Sequence, residues 1–441
     1  MQADKNPKTS PFPPPTVIEK SKDLSRAFAQ EEIKKNLRHN FIVNLADGGF
    51  FGAALGFASF VTVIPLFVST LTDSAVLIGL IPAIHAVGWQ LPQLLTADRV
   101  ARLRRYRPTV LLLTFHERAP YLGLAIIAWF LPVLEARWAL VFTYLFLVWQ
   151  GLGGGITATA WQSLIGRLIP PGRLGTFFGA QSATANLMAS GSAVMAGILL
   201  ERLRFPINFT VCFLLASLSM IISWFFLAKT REPEIIPTRP PRSPRAFINN
   251  IGEILHQDIN FRWFLFVRML SQLGTMAFAF YTVYVVRILG VSEGIAGILT
   301  GILMATQIVA NPILGWIGDR FGHRLSLEIG IMAAVASAGL AWLVVGESWF
   351  YLIFALAGIA NVALWTTPIA ISLQFGNEDD RPIYIGMANT LIAPVTFLAP
   401  VIGGLLADHY GYQTTFIVSA IAGLVTVFVL HMVVKNPKQV N

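Results

Sequence analysis

The chain has 441 residues, 55% of them hydrophobic and 12% charged, where a soluble domain carries about 25% charged residues. A bilayer-crossing helix takes about 20 apolar residues, so about twelve crossings would use the hydrophobic content, and an ordinary soluble architecture is excluded. The formal charge of +9, from 32 Lys and Arg against 23 Asp and Glu, falls in short loops between apolar stretches, which points to membrane orientation and away from nucleic acid.

Residues 1–39 are polar, with Pro11, Pro13, Pro14 and Pro15 clustered, and they lack the apolar run and cleavage site of a secretory signal. They read as a cytoplasmic tail that is either partly disordered or, over 23–38, a short amphipathic helix on the membrane surface. Apolar stretches then follow at 42–71, 75–96, 108–134, 138–164, 176–200 and 209–228. After a connector with Pro233, Pro237, Pro240, Pro241 and Pro244 come 261–289, 295–317, 325–345, 349–373, 383–407 and 415–434. The expected organisation is a tail (1–40), a six-helix bundle (41–228), a cytoplasmic linker (229–260), a second bundle (261–434) and a short tail (435–441). This is an all-α membrane protein of twelve transmembrane helices.

Of the 32 Lys and Arg, 26 lie in the tails, the linker and the loops on the linker's side, four on the opposite side, and two, Arg118 and Arg268, inside spans. The positive-inside rule then puts both termini in the cytoplasm. The single Cys212 allows no intramolecular disulfide and no thiolate metal cluster. The seven histidines are scattered without ligand spacing, and no Gly-Lys-Ser phosphate loop exists, so neither a metal centre nor ATP hydrolysis is expected.

The two halves repeat. Asp98-Arg99-Val100-Ala101-Arg102 follows the second span and Asp319-Arg320-Phe321-Gly322-His323 the eighth, and Ala193, Gly197 and Glu201 of the fifth span match Pro400, Gly404 and Asp408 of the eleventh. The run Gly315 to Arg324, with Asp319, Arg320, Gly322, His323 and Arg324, resembles the loop signature of the major facilitator superfamily, in a prokaryotic-type member. His323 departs from the first of its two final basic positions. In the first-half copy Leu94 and Ala101 replace both glycines, while Asp98, Arg99 and Arg102 remain.

The resemblance implies two pseudo-symmetric six-helix bundles, a midplane site between them, and a cytoplasmic gate made of Asp98, Arg99, Arg102, Gly315, Asp319, Arg320, Gly322 and Arg324. A glycine permits close backbone approach, an aspartate suits a helix N-terminus, and arginines can bridge carboxylates. Two markers of proton-coupled drug exporters are missing: Leu147 stands where an arginine precedes Gln150-Gly151, and the fifth span has no Gly-Pro element.

Ionisable residues inside a span usually face a cavity or a partner. Asp47 and Arg268 are separated by the same 221 residues as the loop signatures, and the expectation is that they pair across the cavity. Glu117 and Arg118 lie about 13 Å into the third span at 1.5 Å per residue, with His85 and His116 as partners and a proton relay through Glu117 as one reading. Gln90, Gln150, Gln181, Asn186, Gln272, Tyr281, Tyr284, Gln307, Asn311, Asn361, Trp365 and Asn389 are further pathway candidates. Pro312, Pro394 and Pro400 are expected to break their helices where backbone lines a cavity.

The reading is a secondary transporter of the plasma membrane, not an enzyme, without a cofactor, working by alternating access as a monomer on a small-molecule solute. A coupling proton or ion is left open as a second partner. Arg118 and Arg268 suit an anionic or zwitterionic solute and the aromatic content a lipophilic one. Proton-coupled efflux of lipophilic compounds and a non-transporting receptor are the alternatives.

Overall fold

The computed structural model describes residues 17–60, 62–72, 75–235, 244–290, 293–343, 346–377 and 380–435. Among these there is no strand, and each of the twelve apolar stretches is helical. Ten helices are long and apolar enough to cross a membrane, so the chain is a multi-pass membrane protein. The first two stretches fall short of that measure for local reasons. The first helix, Val17–Phe57, carries its charges, Asp47 apart, before residue 40, and its stretch finishes in the short Val63–Ser69. The second is split into Ala75–Gln90 and Gln93–Val100 at Leu91-Pro92, where proline has no N–H to continue the ladder.

The tail does not lie on the membrane as a separate helix, because residues 17–40 continue straight into the first span. Asn36, Asn40 and Asn44 on that helix bind Arg231 and Thr230 just after the sixth span, Ile207–Ala228. The linker also contains a helix, Pro244–Gln257, whose Ile251, Ile254 and Leu255 pack on the second bundle. Asp258 then caps the seventh span by accepting from the Phe261 amide at 2.9 Å.

Helix breaks fall at other places than the prolines suggest. Pro312 and Pro400 lie inside continuous helices, Glu293–Phe321 and Ala393–Tyr410. The eleventh span parts at Leu391-Ile392, with Pro394 in the first turn of its second piece, and the seventh parts at a 3-10 turn, Met276–Phe280. Arg268 sits against the first of these breaks and donates to the Ala388 carbonyl at 2.7 Å, satisfying backbone in a region without water.

Each half packs on its own core. Phe67, Phe213 and Tyr121 centre the first bundle, and Tyr281, Phe350 and Phe416 centre a cluster in the second. The halves meet along two seams, the fifth span (Leu174–Arg202) against the eighth (Glu293–Phe321), and the second against the eleventh.

Candidate functional site: a charged cavity above a one-sided seam

A cavity of about 260 Å³ lies beside the first bundle, lined by Asp47, Phe51, Trp89, Glu117, Arg118 and Trp161 among others, and of its walls only Ile369 comes from the second half. Local sequence explains its shape. Gly154, Ala158 and Trp161 fall at helical spacing on the fourth span, Ala136–Leu168. The missing side chain at Gly154 lets two groups approach, since a Cβ there would stand 2.9 Å from Glu117 Oε1 and 3.3 Å from Trp89 Cδ1.

The charges in this cavity pair differently from the sequence expectation. Asp47 accepts from Arg118 at 3.2 Å and from the Ser223 hydroxyl at 2.6 Å, and Arg118 donates to Ser223 at 2.9 Å. Arg268 is not its partner. That guanidinium is spent on the Ala388 carbonyl and the Asn389 side chain. Equal offsets in a repeated sequence mark pseudo-equivalent positions, and equivalence does not bring two side chains face to face. Arg118 lies on the neighbouring third span and reaches Asp47 directly.

The linker end of the fifth and eighth spans is sealed by backbone. A Cβ at Gly315 would stand 2.2 Å from the Gly175 carbonyl oxygen, so only glycine fits there. Asp319 accepts from the Gly175 and Thr176 amides at 2.9 and 2.6 Å, taking two free donors at the start of the fifth span. Gly322 turns the chain at φ 102°. Further along, Ser182 and Thr366 are 3.4 Å apart and Asn186 donates to Gln307 at 3.3 Å. Past a last contact of Ser190 with the Met304 sulfur at 3.9 Å the helices part, with no neighbouring atom within 4 Å of a Cβ at Gly197 or Gly301. A vestibule of about 540 Å³ opens there between Val63, Leu66, Val194, Thr300 and Met304.

The second seam closes at the same end with different chemistry. Asn389 donates to Gln93 at 2.7 Å, Thr390 donates to the Gln90 carbonyl at 3.1 Å, and Arg381 donates to the Gly166 carbonyl at 2.9 Å. Asp98, the counterpart of Asp319, bonds Arg102 in its own helix. The remaining gate arginines stay within their half: Arg99 is exposed, Arg320 covers Trp316 and Phe321, and Arg324 holds Glu328 and the His431 carbonyl. Among the charged signature residues, Asp319 makes bonds that cross the seam.

Below the cavity, Arg167 lies 3.9 Å from the Tyr106 ring centroid and 3.0 Å from Glu232, which also accepts from the Tyr106 and Arg107 amides. Burial pushes the Glu232 carboxyl up, while Arg167 and the amides pull it back.

Other sequence candidates stand apart from the cavity. His85 bonds Gln150 at 3.0 Å and stacks on Phe60, and His116 accepts from Trp149. Tyr281 and Tyr284 belong to the aromatic core, Tyr281 accepting from Ser337. Asn311 ties Gln307 to Thr366. Trp365 is 49% exposed, on one helical stripe with Asn361 and the cavity residue Ile369, and Gln272 is half-buried. Trp89, Trp161, Thr114 and Thr157 line the cavity without having been expected. Thr157 and Trp161 had a signal in the helical stripe on the glycine-rich fourth span; Trp89 and Thr114, on the second and third spans, had none.

The fold is shared with a bacterial homologue of the iron transporter ferroportin in an outward-facing state, at TM-score 0.72 and 15% identity over 89% of this chain and 98% of that one. It is also shared with FucP, a Major Facilitator Superfamily transporter, at TM-score 0.69 and 14% identity over 90% and 98%. Residues 264–441 match the family model of the Major Facilitator Superfamily. The second half of the chain is similar to that superfamily. The chain is similar to the vesicular acetylcholine transporter of Drosophila melanogaster, 30% identical over 147 residues, 32% of this chain and 25% of the relative. It also resembles multidrug resistance protein MdtG of Salmonella dublin, 28% identical over 144 residues, 31% and 34%. These matches span about a quarter to a third of the curated relatives' length.

Proposed function

We propose that this chain is a secondary active transporter that carries a small organic solute by alternating access, the linker side facing the cytoplasm. The observation that carries this reading is the fifth and eighth span pair, locked at the linker end by Gly175, Gly315 and Asp319 and parted at Gly197 and Gly301. A helix pair closed at one end and open at the other, beside a charged cavity, is one of two states that rocking of the bundles interconverts. The curated relatives carry both vesicular and multidrug names, so transport direction does not follow from likeness.

Arg118 pairs with Asp47 in the cavity wall, and Arg268 lies outside it on the Ala388 carbonyl. Spin labels at Gly197→Cys and Gly301→Cys test the reading in reconstituted protein. Alternating access gives a short-distance population beside the open one, growing when Asp319→Asn weakens the linker seam. One unchanging distance under all conditions refutes it.

A further inference from the structure

The cavity's charges do not cancel. Arg118 donates through one nitrogen to Asp47 and Ser223, its Nε is buried without a hydrogen-bond partner, and its face lies on Phe51, 5.6 Å from the ring centroid. Among the described residues no Lys, Arg or His comes within ion-pair distance of Glu117, while Arg118 is paired with Asp47. Of the neutral donors lining the cavity, Thr157 bonds the Gly153 carbonyl, Gln181 the Asn44 carbonyl, and Ser182 lies 3.4 Å from Thr366. What the cavity offers an occupant is one carboxylate and aromatic faces, with Trp89 beside Glu117 across Gly154 and Trp161 two turns along the same wall.

We infer that this cavity binds a small organic monocation, its ammonium group seated between Glu117 and the Trp89 and Trp161 rings. The inference names a substrate class for the transporter proposed above and rests on that reading for its purpose, though binding itself does not need transport. Ring quadrupoles attract a desolvated cation, and one carboxylate neutralises it in a medium where an unpaired charge is costly. An anion would meet two carboxylates, Glu117 and Asp47, in the cavity wall. A bare divalent metal needs several oxygen ligands, and among the described residues no cluster of three metal-ligating side chains exists.

The test uses purified full-length protein in detergent, with calorimetric titration of benzyltrimethylammonium, choline, choline's uncharged isostere 3,3-dimethylbutan-1-ol, and benzoate. The expected result is binding of the two cations and of neither other probe. Glu117→Gln should weaken cation binding about 30-fold or more, and Trp89→Leu and Trp161→Leu each about 3- to 30-fold. Elution profile and melting temperature report whether each variant is folded. If Glu117→Gln does not assemble, the two tryptophan variants decide.

Cation binding that Glu117→Gln leaves at full strength, or that both tryptophan variants leave unchanged, overturns the inference. So does benzoate or the isostere binding as well as the cations, or no cation binding to the wild-type protein. Failure of the transporter reading is distinguishable: the spin labels then show one fixed state while cations still bind.

Discussion

Replacing Gly315 by alanine is the sharpest perturbation of the seam. The added carbon would stand 2.2 Å from the Gly175 carbonyl oxygen and 2.8 Å from its carbon, more than 1 Å inside ordinary contact, and both obstacles are backbone. The fifth and eighth spans must separate there. In doing so they stretch the bonds that Asp319 accepts at 2.9 and 2.6 Å. Two hydrogen bonds to a charged acceptor contribute about 1.5–3 kcal/mol each; taking the low end, about 3 kcal/mol is lost from the closed linker end.

That corresponds to about a 150-fold fall in the ratio of closed to open. The native Cys212 is buried, so spin labels at Arg173→Cys and Phe321→Cys can report on this end with little background. Gly315→Ala should move the dominant distance to longer values, and Asp319→Asn, which keeps an acceptor and loses the charge, should fall between. An unchanged distance distribution in Gly315→Ala would refute the reasoning, because the contact could not then be as close as described.

Removing the acid in Asp47→Leu leaves Arg118 as an uncompensated charge, expected to cost about 3–5 kcal/mol and to lower the melting temperature; the double change Asp47→Leu with Arg118→Leu should recover most of it. Equal melting of single and double variants would disprove the pair. Arg268→Leu leaves the Ala388 carbonyl without its donor and should cost about 1–3 kcal/mol while cation affinity at the cavity stays as in wild type, read by calorimetry. Asn389→Leu removes the 2.7 Å bond to Gln93 and should shift the closed-to-open ratio by about threefold, from about 0.6 kcal/mol for an interhelical bond in a membrane.

The twelve spans were legible because each is a long apolar run bounded by charge, and the Asp319 signature because glycine and aspartate at that spacing meet a physical need. The partner of Asp47 was not legible. It depends on the rotation of the third span about its axis, which places Arg118 toward Ser223 and Asp47 and which no sequence offset encodes. The linker helix carried a signal in the apolar spacing of Phe247, Ile251, Ile254 and Leu255, hidden beneath the prolines ahead of it. Trp89 and Trp161 were hidden for another reason: aromatic residues are common in membrane helices, and these two matter only because Gly154 brings a carboxylate to one of them.

The unlike chemistry of the two seams has an engineering consequence. The linker end of one seam is set by a bare glycine contact and the Asp319 cap, that of the other by the amides Asn389 and Gln93, a threonine and Arg381. A change to one leaves the other intact, so the resting bias between the two states can be adjusted in coarse steps at Gly315 and Asp319 and in fine steps at Gln93 and Asn389. Either adjustment leaves the residues lining the cavity unaltered, so the balance of the seams and the chemistry of the cavity can be changed independently.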